Sequence, residues 1–295
     1  MFWARDHLGN YLLVYEFEKI DGTPPKALPA LAGIQAMFLN AENTTDKNRF
    51  VLLLKERVKW EIFLSLCTDL VQTTRHAKSS SLAIQALLRR LAHWQEFLKR
   101  IRPDILSEET IKGLIGELLF IKKHLVPAFG IAPAIKFWQG PEGLPQDFNV
   151  NDSAIEVKCQ SGATAPNVRI TSEEQLCPQL PEMYLYVVTL GKTTSDNEEA
   201  ISLPKLIGDL RKELEFEETG IIERFNDLLH MIGYIDSDLY LDYCYILTGQ
   251  NMFQVDDNFP RICTANIPLG IERLSYHIDL SACERFKKHP DWMEV

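Results

Sequence analysis

The chain has 295 residues, 46% of them hydrophobic and 24% charged, which is enough apolar material for one large core or two smaller ones. It contains no run of about 18 apolar residues, so a transmembrane helix is not expected. With 31 basic and 41 acidic residues the net charge is −10, which excludes coating of nucleic acid by bulk electrostatics and leaves only a local basic surface to look for.

The opening MFWARDHLGN lacks the long apolar stretch of a secretory signal. Cys67, Cys159, Cys177, Cys244, Cys263 and Cys283 are scattered, without CxxC or zinc-type spacing, and the histidines show no metal spacing either. The expectation is a cytoplasmic protein, off the membrane, with reduced and mostly buried thiols.

Residues 1–70 read as an N-terminal β-rich lobe. YLLVYEFEK, QAMFLN and RFVLLLKE are rich in aromatic and β-branched residues, and DGTPPK and NAENTTDKN between them carry turn chemistry. Helical periodicity begins near Val58. Residues 71–106 read as a basic helical segment, in which Ile84, Leu87, Leu88, Leu91, Trp94, Leu98 and Ile101 make an apolar stripe that Pro103 ends. Arg89, His93 and Arg100 line up opposite the stripe, while Arg90 and Lys99 flank it. Such a face is either a solvated surface or a strip that contacts phosphates, with Arg89 and Arg100 as the contacts in the second reading.

Residues 107–235 read as the central domain. In SEETIKGLIGELLFIKKHLV, Ser107 is the expected N-cap, Glu108 and Glu109 suit the positive end of the helix, and Pro127 is the expected stop. Ile111, Leu114, Ile115, Leu118 and Leu125 form its buried stripe, with Glu117 at the edge. KFWQGPEGLP reads as a loop, whose Trp138 either stacks on a base or packs on the core. NVRI reads as a short strand, and SEEQL as the start of a helix with Ser172 and Gln175 spaced as a capping box. MYLYVVTL reads as a buried strand, and 196–227 as largely helical. Residues 236–295 return to strands and read as a C-terminal β-rich extension.

The segment DFNVNDSAIEVKC carries the chemistry. Side chains alternate along a strand, so Ile155, Val157 and Cys159 point one way and Glu156 and Lys158 the other. Asn151-Asp152 is turn-prone. A two-residue loop pairs Val150 with Ser153 and sets Asp147 directly across from Glu156; a three-residue loop makes the acids diagonal neighbours. Two carboxylates about 5 Å apart at an effective dielectric of ~20 repel by roughly 3 kcal/mol. Lys158 is one counter-charge, and a divalent ion held by hard oxygen ligands is a better one. The plainer reading of Glu156 and Lys158 is a solvent-facing strand surface.

Glu117 in GELL, Pro145 before Asp147, and Arg169 and Gln175 after the E-x-K join this set. Together, GLIGELLFI, FWQGPEGLPQDF, IEVKC and VRITSEEQL resemble the PD-(D/E)XK nuclease superfamily, and FQVDDNFPRI and LSYHIDL resemble one group of bacterial PD-(D/E)XK-motif proteins within it. Gln146 stands where the strict pattern has proline.

The resemblance implies an α+β fold with an α/β/α restriction-endonuclease-like core and a mixed sheet, flanked by the helices around Leu91, Leu118 and Leu228. It implies that Asp147 and Glu156 hold magnesium, or manganese, with the carbonyl of Val157. Lys158 would hold the attacking water, Glu117 would reach the waters of the metal, and Gln175 would match a polar position after the motif strands. Arg169 is a candidate phosphate contact. Two carboxylates beside Lys158 favour its charged form, which suits an orienting ammonium and not a base. The expected activity is magnesium-dependent hydrolysis of DNA phosphodiesters in bacterial phage defence or restriction, with a catalytically silent DNA-binding or assembly subunit as the alternative. Double-strand cutting would need a homodimer. No Walker-type glycine loop is present, so an ATP-driven step would need a partner helicase or ATPase.

Overall fold

A computed structural model describes residues 1–18, 28–31, 33–41, 47–56, 59–75, 77–100, 105–162, 166–271 and 274–293, the side chains of 99 and 100 excepted. Val58, Ile101, Pro103 and the side chains of Lys99 and Arg100, all named in the sequence reading, lie outside the described residues. The fold is α+β. It divides into two compact units, Met1–Asp104 with Gly233–Ser237, and Ile105–Ile232 with Asp238–Val295.

In the first unit, β1 (Phe2–Arg5), β2 (Tyr11–Phe17), β3 (Ile34–Leu39) and β4 (Asn48–Leu54) form an antiparallel sheet in the order β1-β2-β4-β3. Alternation along β2 and β4 sends Leu13, Phe50 and Leu52 into a core closed by α1 (Trp60–Thr74) and α2 (Ser80–Arg100). The stripe of α2 is buried there through Ile84, Leu87, Leu91 and Trp94. The helix around Leu91, expected beside the motif sheet, thus spends its apolar face in a core of its own. Arg90 is also corrected. Beside the stripe as expected, it is no part of a solvated or phosphate-contacting face: at 5% side-chain exposure its Nε donates to Asp69 Oδ2 at 2.5 Å.

The second unit is built on a mixed sheet in the order β5-β6-β8-β9, from β5 (Phe148–Val150), β6 (Ser153–Ser161), β8 (Glu182–Thr193) and β9 (Cys244–Gln254). The pair β6/β8 is parallel and the other two are antiparallel. Helix α3 (Glu108–Phe120) crosses one face, and α6 (Leu203–Leu214) lies beside it. The opposite face is covered by a ladder of β7 (Asn167–Ile170) with β10 (Tyr276–Asp279) and by the turn Leu280–Phe286.

Ser107 caps α3 as expected, accepting from the Thr110 amide at 3.2 Å. Pro127 does not end the run. The chain passes through one π-helical turn, Ile121–Leu125, into α4 (Val126–Phe129), where proline at the start of a new turn needs no amide donor. Gly130, at φ +83°, makes the break, and α5 (Ile131–Phe137) follows, its last two residues, Lys136 and Phe137, falling in what read as loop. SEEQL is a turn and not a helix. Pro178 follows too soon for a helix to propagate. Chain order then continues through β8 and α6 to α7 (Thr219–Ile232).

Two of the six cysteines depart from the expectation of reduced thiols. Cys177 and Cys263 are disulfide-bonded with their Cα atoms 5.8 Å apart, joined by tertiary packing across 86 residues of sequence. Cys67, Cys159, Cys244 and Cys283 are free. Among the described residues no helix is long and apolar enough to cross a membrane.

Candidate active site

The hairpin before the sheet sets the register of the site. Val150 pairs with Ser153, Asn149 with Ala154 and Phe148 with Ile155, so the loop has two residues and Asp147 and Glu156 extend the same register. Asn151 takes the left-handed turn at φ +52°, a conformation asparagine tolerates. The β5 ladder stops at Phe148. Beyond it the exposed edge of β6 is taken by the Asp147 side chain, whose Oδ2 accepts from the Val157 amide at 2.8 Å. In a strand, the N–H and C=O of one residue face the same neighbour. The Val157 carbonyl therefore points to the same open edge as Asp147.

Glu156 and Lys158 share a face, and Lys158 Nζ lies 2.7 Å from Glu156 Oε1. Glu156 is not on a solvated surface: it is 1% exposed. The same Oε1 accepts from Gln175 Nε2 at 2.8 Å, while Gln175 Oε1 accepts from the Thr171 amide at 2.8 Å. Gln175 is therefore no capping-box residue of a helix. It is an amide bridge between the β7 end and the motif acid.

Glu117 arrives from α3 across the other face. Gly116 makes that approach possible, because a Cβ there would lie 3.3 Å from Val157 Cγ1 and collide with Cys159 Sγ. Trp138 lies just past α5 and is fully buried, so it does not stack on a base. Its indole N–H donates to Glu117 Oε2 at 2.6 Å. Sequence reasoning did not find that contact, because partner choice over 21 residues leaves no local signature.

Glu117, Asp147, Glu156, Val157, Lys158, Arg169 and Gln175 line one cavity of about 530 Å³. Lys112 and Thr171, unremarked in the sequence, line it too. Lys112 lies five residues before Glu117 on α3, off the three- and four-residue rows that bring helical side chains together, so the sequence spacing gives no signal. Arg169 sits on β7, and its Nε donates to Ser275 Oγ at 3.0 Å. Arg89 is an exposed residue of α2 in the first unit, and the Arg100 side chain is outside the described residues.

The electrostatics follow from three carboxylates sharing one near ammonium. Burial, then the Asp147 charge, pushes Glu117 well above the ordinary carboxylate range, and the Trp138 N–H pulls it back. Burial lifts Asp147 to about 6 against the opposing Val157 amide and Lys158. Glu156 is raised well above its usual value by burial and Asp147, with Lys158 opposing. Cys159 also lines the cavity, but burial takes its thiol up to about 12, and it donates to the Lys112 carbonyl at 3.0 Å. It is no thiolate ligand.

A hard divalent cation fits this donor set. Glu156 Oε2 is buried with no hydrogen-bond partner, the site has an excess of acids, and the Val157 carbonyl faces the same edge. Oxygen donors alone favour magnesium or manganese over thiolate- and imidazole-seeking metals.

A family model described as "Putative PD-(D/E)XK family member, (DUF4420)" matches residues 1–281. The chain belongs to this PD-(D/E)XK family. It matches no curated protein and no solved structure. Membership marks the chain as nuclease-like, and the acids, the E-x-K lysine and the cavity of the second unit are the parts on which a PD-(D/E)XK reading rests.

Proposed function

We propose that this PD-(D/E)XK chain is a magnesium-dependent DNA endonuclease, with manganese as a substitute ion. One observation carries the reading: Glu117, Asp147 and Glu156 converge on one cavity, only Glu156 is paired with Lys158, and its second carboxylate oxygen is buried and left over. Asp147, Glu156 and the Val157 carbonyl would hold the ion, with Glu117 beside them as the helix acid of the site. When bound, the ion supplies charge stabilisation to the phosphate and acidity to a water.

The chain's own groups do the rest. Lys158, fixed by Glu156 Oε1, donates to the attacking water and sets it in line with phosphorus. The water oxygen bonds to phosphorus, the bond to the leaving sugar oxygen breaks, and the water's proton passes to solvent or a phosphate oxygen. Gln175 holds Glu156 against rotation through its bridge to Thr171. Arg169 meets the strand's phosphates at the rim. A single site cuts one strand, so double-strand cuts call for two copies. The family resemblance supports a place in restriction of phage DNA in the bacterial cytoplasm, where a reducing pool would act on the Cys177–Cys263 link.

Supercoiled plasmid with magnesium tests this. Wild type nicks or cuts, while Lys158→Ala and Asp147→Ala each lose about a hundredfold or more with folding retained. Binding without cleavage by wild type would instead identify a silent DNA-binding subunit.

A further inference from the structure

Trp138, Gln139 and Gly140 form one short strap that touches both outer acids of the site. The Trp138 indole N–H donates to Glu117 Oε2 at 2.6 Å. The next two amides, of Gln139 and Gly140, donate to the Asp147 carbonyl at 2.8 and 3.0 Å. Gln139 Oε1 accepts from Asn149 Nδ2 at 2.7 Å, binding the strap to the strand that follows Asp147. Gly140 fits only because it has no side chain: a Cβ would lie 2.7 Å from Asp147 Oδ1 and 3.2 Å from its Cα.

The strap is itself braced. The Trp138 ring, fully buried, lies 6.1 Å from the Phe225 ring of α7. Arg224, one residue earlier on α7, makes a two-point pair with Glu142 at 3.0 and 3.2 Å, just past the strap. A helix acid and a strand acid thus have their separation fixed by three consecutive residues on a rigid support.

We propose that Trp138 is a positioning residue for the metal-dependent reaction, orienting the Glu117 carboxylate toward Asp147 through its indole N–H. This rests on the metal-site reading above. Partners that orient a metal's surroundings typically contribute ten- to hundredfold in affinity. Packing alone would not produce that effect, since phenylalanine fills most of the same space.

The test is titration calorimetry of Mn²⁺ into wild type, Trp138→Phe and Trp94→Phe, with plasmid cleavage measured alongside. Trp94 makes the same indole-to-carboxylate bond, to Asp69 at 2.6 Å, inside the first unit, so its variant reports loss of such a bond away from the proposed metal ligands. Trp138→Phe is expected to bind Mn²⁺ about tenfold or more weakly and to need correspondingly more metal for half-maximal cleavage. Trp94→Phe lowers the melting temperature and leaves the Mn²⁺ affinity unchanged. If Trp138→Phe fails to fold, benzothienylalanine at 138, which keeps the ring's shape and replaces N–H by sulfur, serves in its place. Equal Mn²⁺ affinity in wild type and the 138 variant overturns the positioning role and leaves the metal site standing. No Mn²⁺ uptake by wild type overturns both.

Discussion

Each of the two units holds a carboxylate that accepts an indole N–H, buried at Asp69 and half-buried at Glu117, and they do so to opposite ends. In the first unit Asp69 Oδ2 takes the Arg90 Nε at 2.5 Å and the Trp94 Nε1 at 2.6 Å, one acid against one guanidinium. In the second, Glu117 takes Trp138 at 2.6 Å and Glu156 takes Lys158 at 2.7 Å, but Asp147 joins them and the acids outnumber the ammonium. The first pairs one acid with one guanidinium. The second carries an excess of acid that a cation would offset. Burial of an acid is therefore no sign of function by itself; the local charge balance is what separates a structural pair from a binding site.

The largest effect comes from upsetting the balanced pair. Asp69→Ala removes the buried acceptor shared by the Arg90 and Trp94 side chains, which costs about 3–5 kcal/mol. A fall of roughly ten degrees in the melting transition of the first unit is expected by calorimetry. Replacing all three members, Asp69→Leu with Arg90→Met and Trp94→Phe, should restore much of that loss, since Trp94 also donates to Asp69. A drop of only a degree or two for Asp69→Ala would mean that the pair is dispensable and the contrast with the second unit empty.

The same kind of substitution in the second unit should act with the opposite sign. Burial raises the Asp147 pKa from an ordinary 3.8 to about 6, so the folded chain holds a proton that the unfolded chain has already released. The associated stability is full below pH ~4 and is lost as pH rises through 6. At pH 7.5 without metal, wild type has forgone up to about 3 kcal/mol at 1.36 kcal/mol per unit. Asp147→Asn cannot ionise, yet its side-chain oxygen can still accept from the Val157 amide. The variant should melt several degrees higher than wild type at pH 7.5 and no higher at pH 4, and magnesium should stabilise wild type alone. An Asp147→Asn protein that melts below wild type at pH 7.5 would show that the acids are not in excess.

How much of this contrast could be read from residues alone depends on how local each signal is. The hairpin was legible because Asn151-Asp152 is turn-prone and period-two alternation fixes which face Glu156 takes, and Val150 does pair with Ser153. Glu117, Lys158 and Gln175 were placed at the site by resemblance, and all line its cavity. The pairing of β9 with β8, the Cys177–Cys263 link and the bond from Trp138 to Glu117 join residues far apart in sequence, and nothing in a short window specifies such partners. Arg90 was legible only in part. It was placed beside the apolar stripe, where it does lie, but its partner was not sought: Arg90 stands four residues before the buried Trp94, and Asp69 stands three after the buried Leu66 of α1. An acid and an arginine on two facing apolar stripes predict a buried pair.

The smallest effect separates the two arginines that matter. Arg90 is 5% exposed in its side chain and committed to Asp69, whereas Arg169 is an exposed residue lining the cavity where DNA phosphates would pass. A cation that meets phosphate releases a counterion on binding, and a buried one releases none. Arg169→Ala should therefore weaken DNA binding severalfold and evenly across sequences, reducing the slope of log K against log salt by about one. Cleavage at saturating DNA should hold, because the Arg169 guanidinium is hydrogen-bonded to Ser275 at the rim and not to the acids. Arg90→Met together with Asp69→Leu should leave that slope where it was. An unchanged slope in Arg169→Ala would remove Arg169 from the DNA path, and a lowered slope in the double variant would mean that the first unit's charge is felt by the substrate after all.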